Sequence, residues 1–315
     1  MDNISSSDIF TFTALSETDW TSKFILFIFA LPGYFLTVIV NSTLVTIIVL
    51  EKTLHQPMYF FLCNLCINEL YGATGFYPKL LSDLLLGNNT ISFQECVFQN
   101  FVIFTYALSE FTNLTVMAFD RYIAICSPLS YHNIMTPLTV WKFVVFIWMF
   151  PCCSALIMIL MTLRFPICKT QINKLVCDHM SMERLACSTD MTQFVLNGLF
   201  TCIFCGLVFF FFYSYAKIII VCKQSKQGQK FKSTCLPHLI GFLNYIVCSL
   251  FDSFHTRFGL TYASQALQNF MSITYLIIPP FVNPIMYGII LSPIRVKILY
   301  ISQRLTYKIT NRVTY

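Results

Sequence analysis

The chain has 315 residues, of which 57% are hydrophobic and only 11% charged, with 33 Phe and a formal net charge of +6. This composition excludes a soluble domain that buries one core and wets its surface. It fits a multi-span membrane protein whose excess cations flank the bilayer, and it gives no reason to invoke nucleic acid.

Seven segments reach the roughly 20 apolar residues that a membrane helix needs. They are 24–50, 58–78, 97–119, 143–163, 191–216, 236–255 and 266–290. Barrel-type alternation is absent, so the expected fold is all-α, a bundle of seven transmembrane helices. With the N-terminus outside, 13 Lys and Arg fall on the inner side and seven on the outer side, which is the positive-inside bias. The expected division is an outer tail over 1–23, the bundle over 24–291, and an inner tail over 292–315. Acids rather than a basic region precede the first apolar run, so that helix is expected to act as an uncleaved insertion signal.

In chain order, Asn3-Ile4-Ser5 is a glycosylation sequon in a polar tail expected to be flexible. Asn41, in mid-span, must find partners on other helices because lipid offers none. Pro57 suits the first turn of the second helix, where its missing N–H costs nothing. Glu69 and Glu110 lie at similar depth on adjacent helices, where an ionised carboxylate is expensive. Either they share a cation, with sodium the candidate, or each is a neutral, hydrogen-bonded acid, and Asn41 and Asn283 could serve either arrangement.

The stretch MAFDRYIAIC, Met117 to Cys126, ends the third span with an acid-arginine-tyrosine triplet. Asp120 and Arg121 are either a snorkelling pair that marks the helix end, or a switch in which Asp120 holds Arg121 until neighbouring helices separate. Of the 14 cysteines, Cys63 with Cys66 and Cys202 with Cys205 have zinc-like spacing but sit inside apolar spans, where they read as packing residues. Cys96, Cys168, Cys177 and Cys187 fall on the outer side and imply two disulfides, with three pairings open. The charged loop 164–190 is long enough to fold over the bundle as a lid. Arg257, near Asp252 and His255 at the outer end of the sixth span, is either a solvated or Asp252-paired charge or a fork that grips a ligand carboxylate. Past PPFVNPIMYG, Pro279 to Gly288, the residues Ile294, Ile298, Ile301 and Leu305 recur among Arg295, Lys297 and Arg304 as a short amphipathic helix.

Five stretches together, LHQPMYFFL (54–62), MAFDRYIAIC (117–126), Ser214-Tyr215, KSTCLPHL (232–239) and PPFVNPIMYG (279–288), resemble the odorant receptors, a branch of the rhodopsin-like G-protein-coupled receptors. The resemblance implies a switch built from Asp120, Arg121, Tyr122, Tyr215, Asn283, Pro284 and Tyr287. It also implies the pairings Cys96 with Cys177 and Cys168 with Cys187. By the same resemblance an odorant pocket lies among Asn100, Ile103, Phe104, Ala107 and Leu108 of the third helix and Leu199, Phe200 and Ile203 of the fifth. Ser249, Leu250 and Ser253 of the sixth and Ile273 of the seventh would close it. The sequence departs from the family in Val40 for a glycine, Glu69 for an aspartate, and Asn244-Tyr245-Ile246 in place of a Phe-Tyr pair.

The implied function is detection of a small odorant at the plasma membrane of olfactory sensory neurons, with activation of a stimulatory G protein of the olfactory type and cyclic AMP as the signal. The alternative is a receptor of the same fold for an endogenous metabolite outside the olfactory epithelium. A transporter would show repeats and matched broken helices, which are absent. An enzyme is not expected, because no HExxH, GxSxG or Walker loop is present, and membrane lipid is the remaining expected partner.

Overall fold

The computed structural model describes residues 9–16, 18–188, 190–224, 236–258, 265–300 and 303, without the side chains of 16, 237, 238, 251–272 and 275. Among the described residues are seven long helices: α1 (Trp20–Leu50), α2 (Pro57–Leu86), α3 (Phe93–Cys126), α4 (Pro137–Thr162), α5 (Met191–Gln224), α6 (Leu236–Phe258) and α7 (Gln265–Ile290). A short α8 (Ser292–Tyr300) follows, turned 88° from the end of α7. Asn3 of the sequon and the positions Ile301, Arg304 and Leu305 of the amphipathic pattern lie outside the described residues.

Local chemistry sets the helix ends. Asp19 caps α1 by accepting from the Ser22 N–H at 3.1 Å, and Ser92 with Glu95 forms a reciprocal capping box at the start of α3. Pro57 and Pro137 occupy first-turn positions, and Gly87 ends α2 in the left-handed region at φ 67°, where a side chain would be strained. Several helices outrun the apolar segments, since hydropathy registers only the hydrocarbon layer. α2 continues eight residues past Pro78 to Leu86, through Lys79 and Asp83.

The bundle is turned inside out relative to a soluble protein. In the most apolar 18-residue window of α5 only 6% is buried, while Asn41, Asn68, Glu69, Glu110, Asn113 and Asp120 are fully buried. The hydrophobicity of α5 therefore serves lipid contact, and the polar side chains are kept for helix-to-helix bonds. α1, α3, α4 and α5 are each long and apolar enough to cross a bilayer, and the bent α7–α8 pair also qualifies. α2 and α6 keep their places by packing, α2 against α1 and α3, and α6 against α7 and α3. The most buried of the apolar helices is α3, which touches α2, α4, α5 and α6.

At one end of the bundle lies a cap, and its N-terminal part differs from the flexible tail expected of residues 1–23. Strand β1 (Ile9–Phe12) is the middle of a three-stranded sheet, antiparallel to β2 (Thr90–Ser92) and parallel to β3 (Gln171–Ile172). Alternation explains the order: Phe10 and Phe12 point the same way along the strand and are fully buried beside Ile91, Ile172, Met182 and Cys96–Cys177. Lys79 of α2 donates to the Thr90 carbonyl at 2.8 Å, pairs with Asp83, and lies 5.7 Å over the Phe12 ring.

Truncating such a buried ring typically costs about 3–5 kcal/mol. Phe12→Ala is expected to lower the thermal midpoint of the solubilised chain clearly, whereas Phe29→Ala, on a side chain that is 74% exposed, leaves it nearly unchanged. Two equal shifts would show that the cap adds no stability.

Candidate functional site

The polar side chains fall into three levels along the bundle. At the capped end, Cys96 at the start of α3 is joined to Cys177, and Cys168 to Cys187, with Cα separations of 5.3 and 5.0 Å. The Cys177 N–H also donates to Gln99 Oε1 of α3 at 2.9 Å. The loop 164–190 thus lies across the bundle, held at α3 by a covalent bond and a hydrogen bond. Its short helix His179–Leu185 has Asp178 as its N-cap, accepting from the Ser181 N–H at 2.8 Å.

From that helix Glu183 fastens α5. Its Oε1 accepts from Gln193 Nε2 and Asn197 Nδ2, each at 2.7 Å, and lies 3.4 Å from His179 Nε2. Burial pushes the Glu183 carboxyl upward, but His179, Asn197 and Gln193 outweigh it and hold the group at about 2. The His179 ring meets the Phe104 ring edge-on at 5.7 Å, so the lid rests on α3 where the pocket is expected.

Among the expected pocket residues, Asn100 and Ile103 are buried, and Phe104, Ala107 and Leu108 half-buried, on α3. On α5 only Phe200 is half-buried; Leu199 and Ile203 are exposed at 53% and 36%, a step round the helix from it. Asn197, Phe200 and Phe204 form the half-buried face there. Ser249 is half-buried, Leu250 is 55% exposed, and Ile273 is buried against α2 and α3 residues. Ser253, Arg257, Asp252 and His255 lie on α6, with side chains outside the described set.

One level down, the two intramembrane acids meet. Asn283 Nδ2 donates to Glu69 Oε1 and to Glu110 Oε1, both at 3.0 Å. Asn68 Nδ2 donates to Glu110 Oε2 and Tyr106 Oη to Glu69 Oε2, both at 3.1 Å. The expected use of Asn283 is what the structure has, but Asn41 goes elsewhere. Its Nδ2 donates to the Pro280 carbonyl at 3.0 Å and the Thr37 carbonyl at 2.9 Å. The acceptor is explained by sequence: four residues on stands Pro284, which has no N–H to give Pro280, so Asn41 supplies the missing donor.

At the far end Asp120 is fully buried about a turn and a half before α3 ends, so the triplet is not at the helix terminus. Asp120 Oδ2 accepts from Arg121 Nε at 2.8 Å and pairs with Arg121 Nη2. Its Oδ1 accepts from Tyr131 Oη, also at 2.8 Å. Tyr122 is half-buried, while Tyr215, Asn283, Pro284 and Tyr287 are buried. Gly241 of α6 comes so near that an added Cβ would stand 3.0 Å from Asn283 Oδ1 and 3.2 Å from Tyr287 Oη.

Among the residues that sequence reasoning missed, beside Asn68, Tyr106 and Glu183, are two that tie separate elements together. Tyr131 locks Asp120 from the loop after α3, and Tyr245 Oη of α6 donates to the Ala107 carbonyl of α3 at 2.7 Å. Tyr245 belongs to the departure Asn244-Tyr245-Ile246, so the change of residues there leaves a direct tie between α6 and the pocket wall. Below it Phe111 packs its ring on those of Phe204 at 4.6 Å and Phe242 at 5.6 Å, joining α3, α5 and α6.

A sequence profile described as "Olfactory receptor" matches residues 29–304. The chain is similar to Olfactory receptor 4B13 of Mus musculus, at 34% identity over 88% of this chain and 90% of that protein. Olfactory receptor 14J1 of Homo sapiens is 31% identical over 82% and 81% of the two chains. The crystal structure of squid rhodopsin aligns over 93% of this chain and 88% of its own with a TM-score of 0.74; at 14% identity that likeness concerns the fold alone.

Because the Glu183 carboxyl is held at about 2 against an ordinary 4.5, the stability it contributes is complete above pH 4.5 and is lost as pH falls toward 2. Hydrogen exchange at the start of α5 should therefore quicken only as acid brings pH through that window. In Glu183→Gln the acid-dependent step should vanish; an identical profile in both chains would remove Glu183 as the latch.

Proposed function

The chain belongs to the olfactory receptor family, and from that premise we propose that it binds a small odorant beneath the lid and activates a stimulatory heterotrimeric G protein, with cyclic AMP as the signal. It is a signalling receptor of the multi-pass membrane class and not an enzyme. The finer reading puts it in the plasma membrane of olfactory sensory neurons, capped end outward, since disulfides form in oxidising compartments.

One observation carries this reading: α3 joins a lidded, largely apolar wall at one end to a locked arginine at the other. Half-buried Phe104, Ala107 and Leu108 together with buried Asn100 and Ile103 offer apolar surface and one amide, the wall that a small, weakly polar ligand needs. Less than a turn beyond Ala107, Glu110 is bonded to Asn283, and four residues after Asn283 stands Tyr287, which faces Gly241 of α6. A ligand that moves α6 against α3 acts on the Tyr245–Ala107 tie first and on the Asp120–Arg121–Tyr131 contact at the far end. Release of Arg121 then opens a binding surface for the G protein.

The intramembrane acids enter as a candidate sodium site. Their four oxygens accept only uncharged donors among the described contacts, and Asn68 Oδ1 and Asn283 Oδ1 beside them are buried without a hydrogen-bond partner. Hard oxygens in that number suit a small monovalent cation held by Glu69 and Glu110, which would supply the charge neutralisation that low-dielectric burial demands.

Arg121→Ala is expected to abolish ligand-dependent cyclic AMP at unchanged surface expression. A retained response would leave Arg121 as a structural end-marker. Raising sodium should increase the thermal midpoint of the purified chain, and Glu69→Gln with Glu110→Gln should erase that dependence while the Asn283 bonds persist. A sodium-insensitive midpoint in the unaltered chain would leave two hydrogen-bonded acids with no ion between them.

A further inference from the structure

Most of the acids described at the capped end are committed. Asp83 pairs with Lys79 and Asp178 with Lys174, while Asp19, Glu95 and Asp190 each accept from a backbone N–H at the start of a helix. Glu183 is different. Its carboxyl, held at about 2, is ionised at neutral pH, and the side chain is only 20% exposed. No Lys or Arg pairs with it among the described contacts. Gln193 and Asn197 are uncharged amides, and His179 carries charge only when protonated.

The two oxygens of Glu183 are used unequally. Gln193 Nε2, Asn197 Nδ2 and His179 Nε2 all approach Oε1, and Oε2 receives no donor among the described contacts. Oε1 therefore serves the latch to α5, and Oε2 is a spare acceptor on a largely buried anion. A carboxylate so placed gains from a cationic donor, which the described part of the chain does not bring.

Position narrows what could bring it. Asn197 shares the half-buried face of α5 with Phe200 and Phe204, and the His179 ring rests on Phe104 of α3. The carboxylate thus lies at the roof of the lidded wall, above aromatic rings from two helices. Phe204 stands seven residues beyond Asn197, about 10 Å along the helix axis. A ligand that fills this depth has a charged head at the lid and an apolar body below it.

Resting on the reading that the lidded wall is the odorant site, we propose that its ligands are small primary amines, bound as ammonium ions that donate an N–H to Glu183 Oε2. Their apolar tails lie against Phe104, Phe200 and Phe204. An ammonium brings a full charge and several donors, whereas an alcohol brings one donor and no charge. A carboxylate ligand would set two anions side by side.

Binding is read directly, as the thermal midpoint of the purified full chain in phosphatidylcholine nanodiscs at neutral pH, so the result does not depend on which G protein couples. The probes are hexylamine, 1-hexanol, hexanoate and N,N,N-trimethylhexylammonium. In the unaltered chain hexylamine is expected to act at a half-maximal concentration about tenfold or more below that of 1-hexanol, the factor that a charge-assisted hydrogen bond supplies. The trimethyl ion keeps the charge but has no N–H, and it should trail hexylamine by a similar factor, a comparison that needs no altered chain. Glu183→Gln, which keeps an oxygen for Gln193 and Asn197, should erase the preference of hexylamine over 1-hexanol. Equal action of hexylamine and 1-hexanol, a trimethyl ion as potent as hexylamine, a preference for hexanoate, or an amine preference that survives in Glu183→Gln would each overturn the proposal while leaving the lidded wall as the ligand site. A midpoint unmoved by all four probes would overturn the proposal and count against the wall itself.

Discussion

The structure depends on one constraint: inside the bilayer no water completes a hydrogen bond, so a polar group in the bundle must find its partner in another part of the chain or go without. The prolines make the point most directly. Pro284 leaves the Pro280 carbonyl without its helical donor, and Asn41 of α1 fills the gap at 3.0 Å. Pro151 does the same to Ile147 in α4, and there Ser109 of α3 donates at 3.1 Å. Each of these two breaks is thus a docking point for a neighbouring helix, and the bends that proline permits there are held in a defined place.

The same constraint shapes the centre. Glu69 and Glu110 could not stand alone at this depth, and three helices contribute to the cluster that receives them: α2, α3 and α7. Moving any of these helices relative to another disturbs bonds that have no solvent substitute. A signal crossing the bundle therefore has few soft places to dissipate, and α3, which carries Asn100, Ala107, Glu110 and Asp120 along one rod, is positioned to transmit it.

Much of the architecture was legible in the residues because bilayer thickness acts as a ruler on apolar length, and the seven segments correspond to the seven long helices. Charge depth was legible too: Glu69, Glu110 and Asp120 stand out against apolar runs, and all three are buried in polar contacts. What escaped the sequence was the identity of partners. Spacing shows which face of α6 Tyr245 occupies but not that its hydroxyl meets Ala107, and nothing in the loop after α3 distinguishes Tyr131 from any other tyrosine. Leu199 and Ile203 illustrate the opposite error. In a helix as uniformly apolar as α5, no polar face marks which side turns inward, and a step of one residue turns the side chain by roughly 100°. The ordered stretch from Ile9 was invisible for a different reason, since its strand partners lie far away in sequence.

That separation has a consequence for biosynthesis. Thr11 is paired with Thr90 and with Gln171, so the strand made first is the one that must sit between two partners made much later. With elongation at about 5–20 residues per second, the N-terminal segment waits for several seconds at least, with its two phenylalanines uncovered, until four helices have been inserted. Closure of the cap is then a late step in folding: a chain whose fourth helix inserts wrongly is left with an unpaired strand and bare aromatic rings.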